Sequence, residues 1–430
     1  TLGHPQTEPT RIQLSLRPVI YLAYHYPPLG GVAVMRAMRF TRYLPEFGWK
    51  PIVVCVQGGA KEPRDPALVE EIPQQAHVER VACLEPDNYP DTWDDPPGKV
   101  IRNLFKTFDF VLFPDDRALW ARPASQAAIR LARRHGAEAV VATAQPWSTL
   151  VAGMQVHQRT GLPLVCDFRD DWTTSNADFR RRHPKRQIRE EQLEQRVLAA
   201  SSAVVTVTPG IVEGLRQRRP ASLPEEAIHL IPNGFDPAHF EPRLEPVQDQ
   251  PFTILHAGGI HPQRDMRAFL DGLEQWLAVH PERRVRLILA GRIEAACQAW
   301  LERPALEAVL EVRGFLPHAE IRQLMMTSHV QLLVLEQVPT APWLFTGKAF
   351  EYIGAGRPIL MTGPLDCPLA EVVRATGNSR VCLDQPAQVA EALEELYQQG
   401  PIPPDPQQQA HYDARRQTER LANILAEVTR

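Results

Sequence analysis

The 430-residue sequence lacks several features that would settle its chemistry at once. Its six cysteines, Cys55, Cys83, Cys166, Cys297, Cys367 and Cys382, never fall at C-x-x-C spacing, so no zinc site or dithiol motif is written in it. They read as reduced cysteines of a cytoplasmic protein, Cys55, Cys166 and Cys382 lying in apolar strand-like runs. No Asp-x-Asp triplet offers a carboxylate seat for a nucleotide-bound Mg²⁺. H-E-x-x-H and G-x-S-x-G are missing as well. No apolar run approaches the ~18–20 residues that span a bilayer. No signal peptide is visible, and residues 1–17 read as a disordered polar segment. With a net charge of −4, nothing points to nucleic acid.

What is present is a globular composition, 44% hydrophobic and 23% charged, which allows a large core. Proline is abundant at 41 residues, about twice ordinary usage, and reads as many short, stiffened connections. Short apolar runs alternate with helical stretches twice over. The first set is 19–25, 51–56, 139–143, 163–168, 203–208 and 228–231; the second is 252–256, 285–290, 309–313, 330–335, 358–362 and 380–383. Continuous apolar runs separated by helices predict parallel strands buried on both faces. The polar, proline-rich stretch around Asn233–Pro237 and 241–251 reads as a linker. The expectation is two doubly wound α/β domains, 18–240 and 252–400, facing across a cleft, with a helical tail at 401–430. In such sheets ligands bind beyond the carboxyl ends of the strands.

The most informative stretch is Thr346-Gly347-Lys348-Ala349-Phe350-Glu351-Tyr352, followed by Gly354-Ala355-Gly356. Thr346 suits an N-cap. A helix N-terminus with Lys348 in its first turn suits a diphosphate. Glu351, three residues on, shares that face and could accept both hydroxyls of a ribose. Arg264, after Gly258-Gly259, could reach the same anion bidentately. The loop Pro27-Pro28-Leu29-Gly30-Gly31-Val32 lets backbone approach a ligand closely, and is neither a dinucleotide fingerprint nor a Walker loop. Gly314-Phe315 could hold a nucleobase edge through backbone groups. In Asp167-Phe168-Arg169-Asp170-Asp171-Trp172, Asp170 could orient or deprotonate an acceptor hydroxyl, while Arg169 could pair with Asp167 or Asp170. Gln145 and Trp147 stand at another strand end, and Trp147, Trp172 and Trp343 could supply flat walls. The basic run Arg180–Arg189 could touch anionic lipid or a phosphorylated acceptor, or be a solvated face.

Together these motifs resemble the GT-B glycosyltransferases of the retaining family 4, across nearly the whole chain. The resemblance implies a nucleotide-sugar donor, most commonly a UDP-sugar, held mainly by the C-terminal domain. It implies an acceptor on the N-terminal domain, metal-independent transfer with retention, no cofactor, and a tail crossing back onto the first domain. The expected donor residues are Gly30, Gly31, Gly259, Arg264, Gly314, Phe315, Thr346, Gly347, Lys348 and Glu351. The expected acceptor residues are Gln145, Trp147, Arg169, Asp170 and Trp172, with Asp170, Arg264 and Lys348 as the catalytic candidates. Two positions depart from the family pattern. Trp343 stands where many relatives carry a first glutamate eight residues before Glu351. Thr143-Ala144-Gln145 stands where many carry a histidine, and Asp170 is the substitute candidate. The implied setting is glycan, lipopolysaccharide or natural-product biosynthesis in the cytoplasm, with peripheral contact at the inner face of a membrane as an option. The alternatives are a sugar-nucleotide epimerase or hydrolase on the same fold, and a catalytically silent binding subunit.

Overall fold

A computed structural model describes residues 16–58, 64–83, 112–173, 184–241, 250–335 and 345–430. Trp343, Arg180–His183 and most of the 241–251 stretch lie outside them. The first sheet contains β1 (Arg17–Ala23), β2 (Trp49–Gln57), β3 (His77–Ala82), β4 (Ala139–Ala144), β5 (Leu164–Phe168), β6 (Ala203–Thr206) and β7 (Ile228–Leu230). Their order is β3-β2-β1-β4-β5-β6-β7, every pair parallel. The second contains β8 (Phe252–Ala257), β9 (Val285–Ala290), β10 (Leu310–Gly314), β11 (Val330–Val334), β12 (Ile359–Thr362) and β13 (Arg380–Cys382). It runs β10-β9-β8-β11-β12-β13, again parallel. Strand order therefore reverses direction between β1 and β4 and between β8 and β11, and those two crevices are where such sheets present ligands.

Strands are where the apolar runs predict them, with one addition. β3 is a half-exposed edge strand, His77-Val-Glu-Arg-Val-Ala82, whose polar residues leave no continuous apolar signal. In β1, Ile20 and Leu22 enter one core and Val19, Tyr21 and Ala23 the other, as the twofold pleat requires. Among the described residues, the helices of two turns or more in the first domain are α1 (Val32–Tyr43), α2 (Ala118–His135), α3 (Ser148–Thr160), α4 (Pro184–Ala200) and α5 (Pro209–Arg218). Those of the second are α6 (Arg267–Val279), α7 (His318–Thr327), α8 (Gly347–Ala355), α9 (Pro368–Ala375) and α10 (Pro386–Gln399), with a single helical turn at Ala295–Gln298.

The tail is two helices, α11 (Pro406–His411) and α12 (Ala414–Val428), rather than the single one its pattern suggests. The break lies at Tyr412-Asp413, where the Asp413 carboxylate accepts from Arg415 N–H and caps α12. α12 crosses back to the first domain: Leu421, Ile424 and Leu425 bury against Val19, Tyr21, Phe40 and Trp49. At about 1.5–3 kcal/mol per buried aliphatic side chain, that seam is a substantial part of the first domain's core. The chain first passes between domains earlier than 241, because Phe235 and Phe240 already sit in the second core with Leu255, Phe350 and Tyr352. There it touches the returning tail: Phe235 N–H donates to Tyr412 O and Ala414 N–H to Phe235 O, each at 2.9 Å. A Cβ on Gly234 would lie 2.3 Å from Tyr412 O, so that crossing needs glycine. The six cysteines are free. Among the described residues no helix is long and apolar enough to cross a membrane.

Candidate functional site in the interdomain cleft

α8 starts at the cleft because Thr346 and Gly347 turn the chain there, and Gly356, in the left-handed region at φ 71°, ends it just before β12. Thr346 occupies the N-cap position in extended conformation, but its hydroxyl makes no capping bond, contrary to expectation. Its Oγ1 is instead buried without a hydrogen-bond partner among the described residues. The same holds for Lys348 Nζ in the first turn and for Arg264 Nε on the loop after β8. Burial, reinforced by Arg264, pushes the Lys348 ammonium down to about 7. Its side chain lies over Gly258: a Cβ there would stand 2.2 Å from Nζ and 2.7 Å from Cε. Gly258 also holds φ +141°, so both space and backbone call for glycine. The neighbouring Gly259 is exposed at the rim. Buried donors that lack acceptors among the described residues, gathered at a helix N-terminus, are a candidate seat for an anion.

The first domain closes over this seat. A Cβ on Gly347 would come within 2.9 Å of Val32 Cγ1, so the Gly30-Gly31-Val32 loop faces the start of α8 directly. Gly31 needs its φ of 82° to launch α1. Gly30 packs on Asp65, whose Cβ a side chain at 30 would meet at 3.1 Å. Beside the anion seat, a cavity of about 610 Å³ is lined by Gly291, Arg292, Ile293, Leu301, Gly314 and Phe315. Gly314 lies at φ +63°, and the Phe315 ring is 84% exposed at the mouth.

Glu351 lies on α8 with 8% exposure. Its Oε1 accepts from Nη2 of Arg39 on α1, across the domain junction. Its Oε2 is buried without a hydrogen bond, with His318 Nε2 at 3.9 Å. Burial alone would raise this carboxyl, but Arg39 and then His318 outweigh it and hold it below the ordinary range. The sequence reading missed Arg39 and His318. The available signal was the spacing Arg36, Arg39, Arg42 along an otherwise apolar helix. All three are committed. Arg36 pairs with Asp167 at 2.9 Å and Arg42 with Asp236 at 3.0 Å, while Arg39 also donates to Gly234 O. Tyr352, behind them, accepts from Ala257 N–H through its hydroxyl at 2.8 Å and fixes α8 to β8.

On the acceptor side the structure redistributes the expected roles. Arg169 pairs with neither aspartate. Asp167 is taken by Arg36 and by the Thr143 hydroxyl at 2.7 Å, and Arg169 donates to the carbonyls of Ala33, Ala144 and Gln145. It therefore pins the Gln145 loop to the start of α1 instead of standing free for an acceptor. Trp172 is completely buried and stacks on Trp147, ring centroids 4.9 Å apart and planes 1° from parallel. It cannot be a wall for an acceptor; it is packing beneath the loop, and Trp147, also buried, keeps little face to offer. Gln145 and Asp170 remain exposed. Surrounding protein pushes the Asp170 carboxyl up, Arg169 opposes this, and Asp171 adds to it. Of the basic run, Arg186 bonds Glu190 at 3.0 Å and Arg189 covers the Phe113 ring at 4.4 Å, so part of it serves the fold.

Residues 30–234 match the family described as glycosyl transferase 4-like domain. None of the curated proteins matches the chain in sequence. Among solved structures, Anabaena HepE in complex with UDP superposes with TM-score 0.63 at 16% identity, covering 96% of this chain and 100% of that one. Sucrose-phosphate synthase from Thermosynechococcus elongatus gives 0.57 at 15% identity, over 96% and 97%. WaaG, a glycosyltransferase involved in lipopolysaccharide biosynthesis, gives 0.52 at 15%, over 96% and 98%. The chain thus has the two-domain GT-B fold, and its residues 30–234 are similar to the glycosyl transferase 4-like domain family.

Proposed function

We propose that the protein is a glycosyltransferase that moves a sugar from a nucleoside diphosphate-sugar to an acceptor hydroxyl. One observation carries the reading: Lys348 Nζ, Arg264 Nε, Thr346 Oγ1 and Glu351 Oε2 are buried polar atoms without hydrogen-bond partners among the described residues, grouped around the first turns of one helix. A diphosphate would satisfy the first three and ribose hydroxyls the fourth. Gly314 and Phe315 at the neighbouring cavity would take the base, and Gly259 leaves room at its rim. UDP is the carrier we favour, because the similar fold of HepE was solved with UDP bound.

In this mechanism Arg264, Lys348 and the N–H groups at Gly347 stabilise charge growing on the departing diphosphate, so no metal is needed for that role. The Gly30-Gly31 loop approaches from the opposite domain. The acceptor hydroxyl, oriented by Asp170 and the Gln145 loop, attacks from the face the leaving group vacates, so configuration is retained. The leaving diphosphate takes up the hydroxyl proton, with Asp170 as the candidate carboxylate on the acceptor side. We read the reaction as a cytoplasmic step of glycan, lipopolysaccharide or natural-product assembly, with the exposed Lys185 of the basic run as its contact towards a membrane surface.

Calorimetry with UDP, GDP, ADP and dTDP, with and without Mg²⁺, tests the donor site. The expected result is Mg²⁺-independent binding of UDP, weakened at least about thirtyfold in Lys348→Ala, the lower end of the cost of removing one member of a buried charge pair. Turnover should fall with it while the thermal melt holds. Undiminished binding in Lys348→Ala would remove this role.

A further inference from the structure

The Glu351 carboxylate poses a problem that its own domain does not solve. It is nearly buried, and a buried carboxylate without a cation takes up a proton. A protonated carboxyl presents a donor where two ribose hydroxyls need acceptors. The charged or titratable groups facing it are Arg39 from α1, His318 from α7, and His239 from the Pro237–Phe240 turn. His318 is itself pushed down, chiefly by burial, and is no permanent cation near neutral pH. His239 is bonded to Glu71 at 2.8 Å. Lys348 and Arg264 point to the phosphate end and have no contact with Glu351 among the described residues. The lasting positive charge on Glu351 is therefore Arg39, which comes from the other domain.

The arrangement is directional. Arg39 Nη1 is tied to Gly234 O and Nη2 to Glu351 Oε1, so the guanidinium is fixed at both ends. Its neighbours along the helix, Arg36 and Arg42, are paired with Asp167 and Asp236, and the middle arginine reaches Glu351 on α8. One carboxylate oxygen is spent on Arg39 and the other is kept for a ligand.

We propose that Arg39 is a positioning residue for the donor's ribose: it occupies Oε1 of Glu351 and thereby holds Oε2 towards the 2′- and 3′-hydroxyls. The proposal rests on the reading of Glu351 as the ribose ligand. It makes donor recognition a property of both domains together.

The test compares UDP with its 2′,3′-dideoxy analogue by calorimetry in the wild type, Arg39→Met and Arg39→Gln, with a thermal melt of each. A site built to bond a hydroxyl strongly rejects the analogue that lacks it, so the wild type should prefer UDP by about tenfold or more. Both variants should lose most of that preference, to about threefold or less, chiefly by weaker UDP binding. The acid limb of UDP binding should also move to higher pH in both, because Glu351 without its cation protonates sooner; a merely structural role would not produce this. Variants that keep the full preference, or lose both nucleotides equally with an unmoved acid limb, overturn the proposal while leaving the donor site standing. If Arg39→Met fails to fold, Arg39→Gln decides. A wild type that binds UDP no better than the dideoxy analogue, or binds neither, removes the ribose reading of Glu351 and this proposal with it.

Discussion

Lys348 is the residue whose chemistry depends most on what binds beside it. Burial and Arg264 hold it at about 7 before any anion arrives. On the proposed reading a bound diphosphate would supply the opposite charge and raise it, so the bound value would exceed the free one. Below pH 7 the lysine is charged in both states and its contribution to binding is fully present. As pH rises from 7 to the bound value that contribution is lost, at about tenfold in affinity per unit. Calorimetry of UDP at pH 8, in two buffers of different ionisation heat, should register uptake of close to one proton per nucleotide. No uptake would mean that the lysine binds uncharged or not at all. The places of Lys348 and Glu351 on α8, and of Gly30 and Gly31 in the loop before α1, were legible because each follows from a local turn or helix start. Arg39 was not: its partner lies 312 residues along the chain, a distance no periodicity encodes. The tryptophans mark the same boundary from the other side, since Trp172 in a loop has the same spelling whether it faces a ligand or, as here, the ring of Trp147.

Among elements, strands were the easiest to read and caps the hardest. Buried parallel strands spell themselves as unbroken apolar runs, which is why twelve apolar runs fall on strands and only the polar edge strand β3 escaped. The N-cap of α8 has the right residue at the right place without the expected bond, because in the cleft the Thr346 hydroxyl has turned from the helix. The β8 turn allows a sharper test. Gly258→Ala puts a methyl where Lys348 Nζ lies and forces φ +141° on a residue with a side chain. The strain should cost about 1–3 kcal/mol, lowering the melting temperature by a few degrees. The displaced lysine should weaken UDP binding about tenfold or more, as loss of a buried charge contact does. A variant with wild-type affinity would show that the lysine does not need that seat.

At the scale of the whole molecule the two-domain plan was written in the doubled alternation of strands and helices. Composition marks the polar, proline-rich stretch from Asn233 to Pro251 as a linker, and where Phe235 and Phe240 bury, a tertiary choice, decides where within it the chain enters the second core. The last helix matters to the first strand in the same way. Leu425→Ala should destabilise the first domain by about 2–5 kcal/mol in urea unfolding, although it lies near the chain's end, because it empties core space beside Val19 and Tyr21. A cost below 1 kcal/mol would mean that α12 is only a surface strap. The two crossings, bonded side by side at Phe235 and Tyr412–Ala414, have a mechanical consequence. Paired straps fastened along one line act as a door hinge, free to swing and stiff against sliding. Arg39, anchored to Gly234, stands beside the pin, while Val32 and Gly347 sit out on the leaves. A swing of a given angle would part the leaves more than the pin, so on the proposed reading the jaw would gape at its Gly347 end for nucleotide to pass while Arg39 keeps its grip on Glu351.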